Sequence, residues 1–77
     1  MNKARREKLK NIMNKISLIS SELEDVISEE EDCMFNIPEN LQGSDRYMQS
    51  EEACDQLHEC VDLLSEAAEI IDEVIMM

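Results

Sequence analysis

Seventy-seven residues limit the chain to one small domain, and 19 acidic residues against 7 basic ones give it a formal net charge of -12. One Gly, one Pro, one Tyr, one Phe and no Trp exclude β-sandwiches and barrels, which need many turns and a β-branched or aromatic core, and glycine-dependent nucleotide folds. A hydrophobic content of 43% is too high for a charge-driven disordered tail, which leaves a small acidic all-α protein.

The chain opens with Lys3, Arg5, Arg6, Lys8 and Lys10, a basic start of the kind that opens a signal peptide. The apolar run that should follow is broken by Asn11, Asn14, Lys15, Ser17, Ser20 and Ser21. No stretch approaches the ~20 apolar residues of a membrane span, so no membrane partner is expected. Cys33, Cys54 and Cys60 make an odd number of cysteines, which fits free thiols in a reducing cytoplasm better than a disulfide framework.

A first helix is expected over about 5–34. Its apolar residues Leu9, Ile12, Ile16, Ile19, Leu23 and Val26, continuing to Glu30 and Cys33, alternate steps of three and four. That spacing is the a/d pattern of a heptad, widened at e by Met13, Ile27 and Met34. A hinge follows at 35–43. Pro38 lacks an N–H and disfavours helix at Ile37; residues 38–42 have room for one short turn that folds Ile37 and Leu41 back over the end. Gly43 frees the backbone, and Ser44 is a good N-cap.

The second helix is expected over about 44–76, with Tyr47, Ser50, Cys54, Leu57, Val61, Leu64, Ala68, Ile71 and Ile75 at a/d and Ala53, Cys60, Ala67 and Val74 widening the stripe at g. The order of charge favours an antiparallel hairpin filling residues 1–77 as one domain. Residues 1–15 carry +5 and residues 46–77 carry -8. Both the basic start and the Glu29-Glu30-Glu31-Asp32 run oppose the macrodipole of the first helix. Reversal of the chain places that basic start beside Glu69, Asp72 and Glu73, which compensates it.

Each stripe is wider than a two-helix interface can cover. A homodimer packed as a four-helix bundle would use both flanks, with Ile16, Ile19, Leu23, Leu57, Val61, Leu64 and Ile71 as the oligomer core. The rival reading is that the wide stripe awaits a different protein.

No metal site, cofactor or catalytic site is expected. Cys54 and His58 share a face, but Cys60 lies about 200° around the helix from His58, so three ligands cannot converge; both cysteines read as small core residues. No Ser–His–Asp set, phosphate loop or glycine-rich signature is present, and two helices offer little concavity in which carboxylate pKa values could be driven apart. The basic start lacks interleaved aromatic residues for nucleic acid, and the acidic remainder would repel phosphate, so direct nucleic-acid binding is not expected. The surface that stands out is an acidic row, Asp55, Glu59, Asp62, Glu66, Glu69 and Glu73, on the b and f positions opposite the core. Its members advance about 5.4 Å each, one helical turn. Beyond Arg46 this helix has no Lys or Arg. A mixed-charge solubility face would have some, whereas a row of this kind suits the basic groove of a nucleic-acid-handling protein.

The hinge Phe35-Asn36-Ile37-Pro38-Glu39-Asn40-Leu41-Gln42-Gly43-Ser44, with the opening Met1-Asn2-Lys3-Ala4-Arg5-Arg6 and the Glu-rich flanks, resembles small acidic helical-hairpin proteins carried by phages and mobile elements of Gram-positive bacteria. The likeness spans nearly the whole chain, and its sharper part is the hinge. It implies a cytoplasmic, non-enzymatic accessory protein with host or defence machinery as its target; taken with the acidic row, the expected action is to bind and inhibit a host protein. It brings no catalytic motif, and Cys54, His58 and Cys60 lie outside it. The alternative is a structural oligomerisation or adaptor module without charge mimicry.

Overall fold

The computed structural model describes all 77 residues. Helix α1 spans Lys3–Phe35 and helix α2 Asp45–Ile75, with a single 3-10 turn, Glu39–Leu41, between them. The two helices pack along their lengths as an antiparallel hairpin of 59 × 15 × 12 Å.

Side chains capable of capping set both helix starts. The Asn2 carboxamide oxygen accepts from the Arg5 N–H at 2.8 Å, so α1 begins two residues ahead of the expected start. Ser44 Oγ accepts from the Tyr47 N–H at 3.3 Å, as its position before an acidic first turn implies. Helix α1 ends where Pro38 forbids continuation; the Asn36 and Ile37 N–H groups close the last turn onto Asp32 and Met34 carbonyls.

The hinge folds back only in part. Ile37 is half-buried, whereas Leu41 is exposed. Gly43 takes no left-handed conformation, and a Cβ added there would meet nothing within 4 Å. The expected need for a glycine is therefore absent: the turn is made by the 3-10 bonds from Leu41 to Pro38 and Gln42 to Glu39.

The seam of α2 is the expected one. Tyr47, Ser50, Cys54, Leu57, Val61, Leu64, Ala68, Ile71 and Ile75 are all buried or half-buried. The seam of α1 is rotated. Leu9, Met13, Ile16, Ser20, Leu23, Ile27, Glu30 and Met34 face inward, while Ile12, Ile19, Val26 and Cys33 lie outside. Ile19, expected in the core beside Ile16 and Leu23, is 48% exposed. The physical reason is that period alone defines a stripe three columns wide. Which two columns face the partner depends on what the partner presents, and here the column with small Ser20 and long, pliant Met13 and Met34 fits.

Contacts between the helices fix the register. Met34 Sδ meets Cys54 Sγ at 4.0 Å and Glu31 Oε1 meets His58 Nε2 at 3.1 Å, so facing positions add up to about 88. Ser20 comes level with Ala68, small against small. Met77 comes level with about residue 11, and the first turns of α1 project past the end of α2. That offset defeats the expected compensation. The only pair between the helices is His58–Glu31; Lys10 pairs within α1 to Glu7 at 3.8 Å, and neither Glu69, Asp72 nor Glu73 meets a base.

Only Ile27, Met34 and Cys54 are buried, three residues of 77. No helix is long and apolar enough to cross a membrane.

Candidate protein-interaction surfaces

The regular α2 helix carries two surfaces that the hairpin leaves open. The first is the acidic row. Asp55, Glu59, Asp62, Glu66, Glu69 and Glu73 are all exposed, and none of them forms an ion pair. They stand one turn apart on the side away from α1 because their steps of four and three match the helical repeat. With the nearest sequence base at Arg46, the field of the row is not neutralised within its own helix. Such a row attracts an extended basic surface, chiefly by steering and charge complementarity.

The second surface is apolar, and only part of it was visible as a widened stripe. On α2, Cys60, Ala67 and Val74 are half-buried, and beside them Leu63 and Ile70 are 57% and 61% exposed. Residues 60, 63, 67, 70, 74 and 77 make a second three–four repeat, which reading a single a/d seam passes over. On α1 the displaced column Ile12, Ile19, Val26 and Cys33 provides the counterpart. Both lie on one flank: Cys33 shares a hinge-end groove of ≈ 530 Å³ with Arg46 and Ser50, while Glu31 and His58 line the other side.

Cys54, His58 and Cys60 point in three directions. The Cys54 thiol is inside the seam against Met34, His58 reaches out to Glu31, and Cys60 sits on the apolar flank. No three His, Cys, Asp or Glu side chains come together in a metal-holding arrangement. Burial pushes the Cys54 thiol above its ordinary value of 9.0, and Glu31, Glu30 and Asp55 reinforce the shift by repelling a thiolate. It is therefore an inert hydrophobe, not a nucleophile.

At the basic start Lys3, Arg5, Lys8, Lys10 and Lys15 are exposed, while Arg6 folds down until its Nε is shielded with no hydrogen-bond partner. The expected oligomer-core residues Ile16, Leu23, Leu57, Val61, Leu64 and Ile71 are taken up within the single hairpin; of that set, Ile19 alone remains open. Comparison of the chain with protein-family models, curated proteins and solved structures finds no match.

Proposed function

We propose that this chain is a non-enzymatic, phage-type accessory protein that binds a host protein through the acidic face of α2 and inhibits it by occupying a basic, nucleic-acid-binding groove. The observation that carries the reading is the row itself: six exposed carboxylates, a turn apart, on a helix with no Lys or Arg after Arg46. A rigid line of charge on a preformed helix presents its carboxylates without an ordering penalty, and helical packing keeps their spacing fixed. The resemblance to acidic hairpins of Gram-positive phages and mobile elements supports a cytoplasmic setting and a host target.

The experiment compares two baits in a Gram-positive lysate: the natural chain, and a variant with Glu59→Gln, Asp62→Asn, Glu66→Gln and Glu69→Gln. The natural chain should retain a basic protein that 0.5 M salt releases (roughly a threefold shorter screening length than at 0.05 M), and the variant should retain none while keeping its helicity. Equal retention by both baits would refute the charge mechanism. The adaptor reading, in which apolar packing alone matters, is favoured by the open flank of Ile12, Ile19, Leu63 and Ile70; it requires the partner to survive neutralisation and to be lost on Leu63→Asp.

A further inference from the structure

We infer that a second copy of this chain docks head-to-tail on the apolar flank, with Ile12, Ile19, Val26 and Cys33 of α1 against the same column of the second copy and the Cys60–Ile70 row of α2 against its own counterpart. Three observations lead there, and the first two do not involve the acidic face.

The first is the state of the core. With only three residues of 77 buried, the hairpin alone lacks the enclosed apolar volume that a domain of this size needs, and small folds commonly supply it by oligomerising. The exposed apolar side chains that would complete it are not scattered. They form two parallel rows on one side of the molecule, flanking the existing seam, which is the geometry of a hairpin that is half of a four-helix bundle.

The second is symmetry. A two-fold axis crossing the flank requires each row to be centred at the same height, since each row must then overlay its own reverse. The α1 row runs from Ile12 to Cys33, with its midpoint between residues 22 and 23. The stretch of the α2 row that docks runs from Cys60 to Ile70, with its midpoint at Ser65. The register set by Met34–Cys54 and Glu31–His58 makes those two midpoints level. Ile12 then meets Cys33 of the second copy, and Ile19 meets its Val26.

The third is charge, which selects the direction. The hinge half of the molecule, residues 21–66, has fifteen acidic residues and one base, a net of -14; the open half, residues 1–20 and 67–77, has six bases and four acids, a net of +2. A side-by-side dimer with both hinges at one end would press the two -14 halves together. The head-to-tail dimer sets each -14 half against a +2 half and brings Lys15 level with Glu29 and Glu30 of the second copy. That supplies part of the missing compensation, while the basic turns that overshoot α2 come level with the hinge of the second copy, about residues 35–42. The acidic row on the b and f positions stays outside this interface.

The test uses sedimentation and site-specific cross-linking of the full chain. The natural protein should sediment at twice the 8.9 kDa chain mass at tens of micromolar, with dissociation on Ile19→Asp plus Ile70→Asp. Cross-linking decides the orientation even where the doubly charged variant loses its helices. In a Cys60→Ala background, Ile12→Cys with a short bifunctional maleimide should give covalent dimer by joining position 12 to the natural Cys33. Cys33 alone should give none, and neither should Ile12→Cys combined with Cys33→Ala. A natural chain that sediments as a monomer up to millimolar concentration overturns the proposal. So does a covalent dimer formed through Cys33 alone, which would place both hinges at one end.

Discussion

Cys54 shows how one position can be misjudged by motif and placed by environment. Its spacing to His58 and Cys60 invites a ligand reading, yet its thiol faces Met34 across the seam and is held protonated by burial beside Glu31, Glu30 and Asp55. Two outcomes follow. Under native conditions a maleimide should modify exposed Cys33 first and half-buried Cys60 more slowly, with Cys54 reacting only on unfolding; peptide mapping after a timed pulse reads the order, and early labelling of Cys54 would contradict its placement. The thiol also gives stability a pH dependence of known sign. The folded state holds this proton more tightly than the unfolded chain, so the contribution is intact below 9.0 and is lost as pH rises beyond it, when the unfolded thiol ionises first. Cys54→Ala, despite the cavity it leaves, should flatten that alkaline loss in denaturant titrations at pH 8 and pH 10.5. Gly43 is a residue whose sequence meaning fails. With no positive φ and open space at the Cβ position, Gly43→Ala should raise stability by about 0.4–1 kcal/mol through the unfolded chain, where a required glycine would instead lose more than that.

At the scale of elements, the helices were legible because their termini carry chemistry and their interiors carry period. Pro38 ends α1, Ser44 starts α2, and the three–four repeat of α2 places every seam residue correctly. The Asn2 cap was equally readable, an asparagine three residues ahead of its bonded N–H, but the run of bases after it drew attention to charge instead. What the sequence could not decide is the rotation of α1. Columns Ile12–Ile19–Val26 and Met13–Ser20–Ile27 flank the Leu9–Ile16–Leu23 column on either side, and the opposing α2 face decides which of them joins it in the seam. A pair of truncations tests the rotation. Ile27→Ala, at a site 2% exposed, should cost about 2–5 kcal/mol and should exceed Val26→Ala, whose side chain is half open. The reverse order in urea midpoints would return α1 to its expected register. Removing the Ser44 cap as Ser44→Ala should cost about 1 kcal/mol, read by the same titration.

For the molecule as a whole, long-range charge is the dominant unsatisfied term. The hairpin carries -12 with one Lys–Glu pair and one His–Glu pair, both exposed, and such pairs contribute well under 1 kcal/mol. The repulsion among carboxylates is thus opposed mainly by apolar packing. Its position was foreseeable in part: the acidic row is fixed by its spacing on α2, whereas the failure of the basic start to reach it follows from an overhang that depends on the length and path of the hinge. Because repulsion at many separations outweighs two short attractions, added salt should stabilise this protein instead of weakening it. Between 0.02 and 0.2 M salt the Debye length falls roughly threefold, and the thermal midpoint should rise across that range. It should rise further with protein concentration if unfolding is linked to dissociation of two copies. A midpoint that falls with salt would mean that attractive pairs, not self-repulsion, govern the folded state. Those pairs would be the ones between the -14 and +2 halves of two copies, since within one chain the two halves lie at opposite ends of a 59 Å rod.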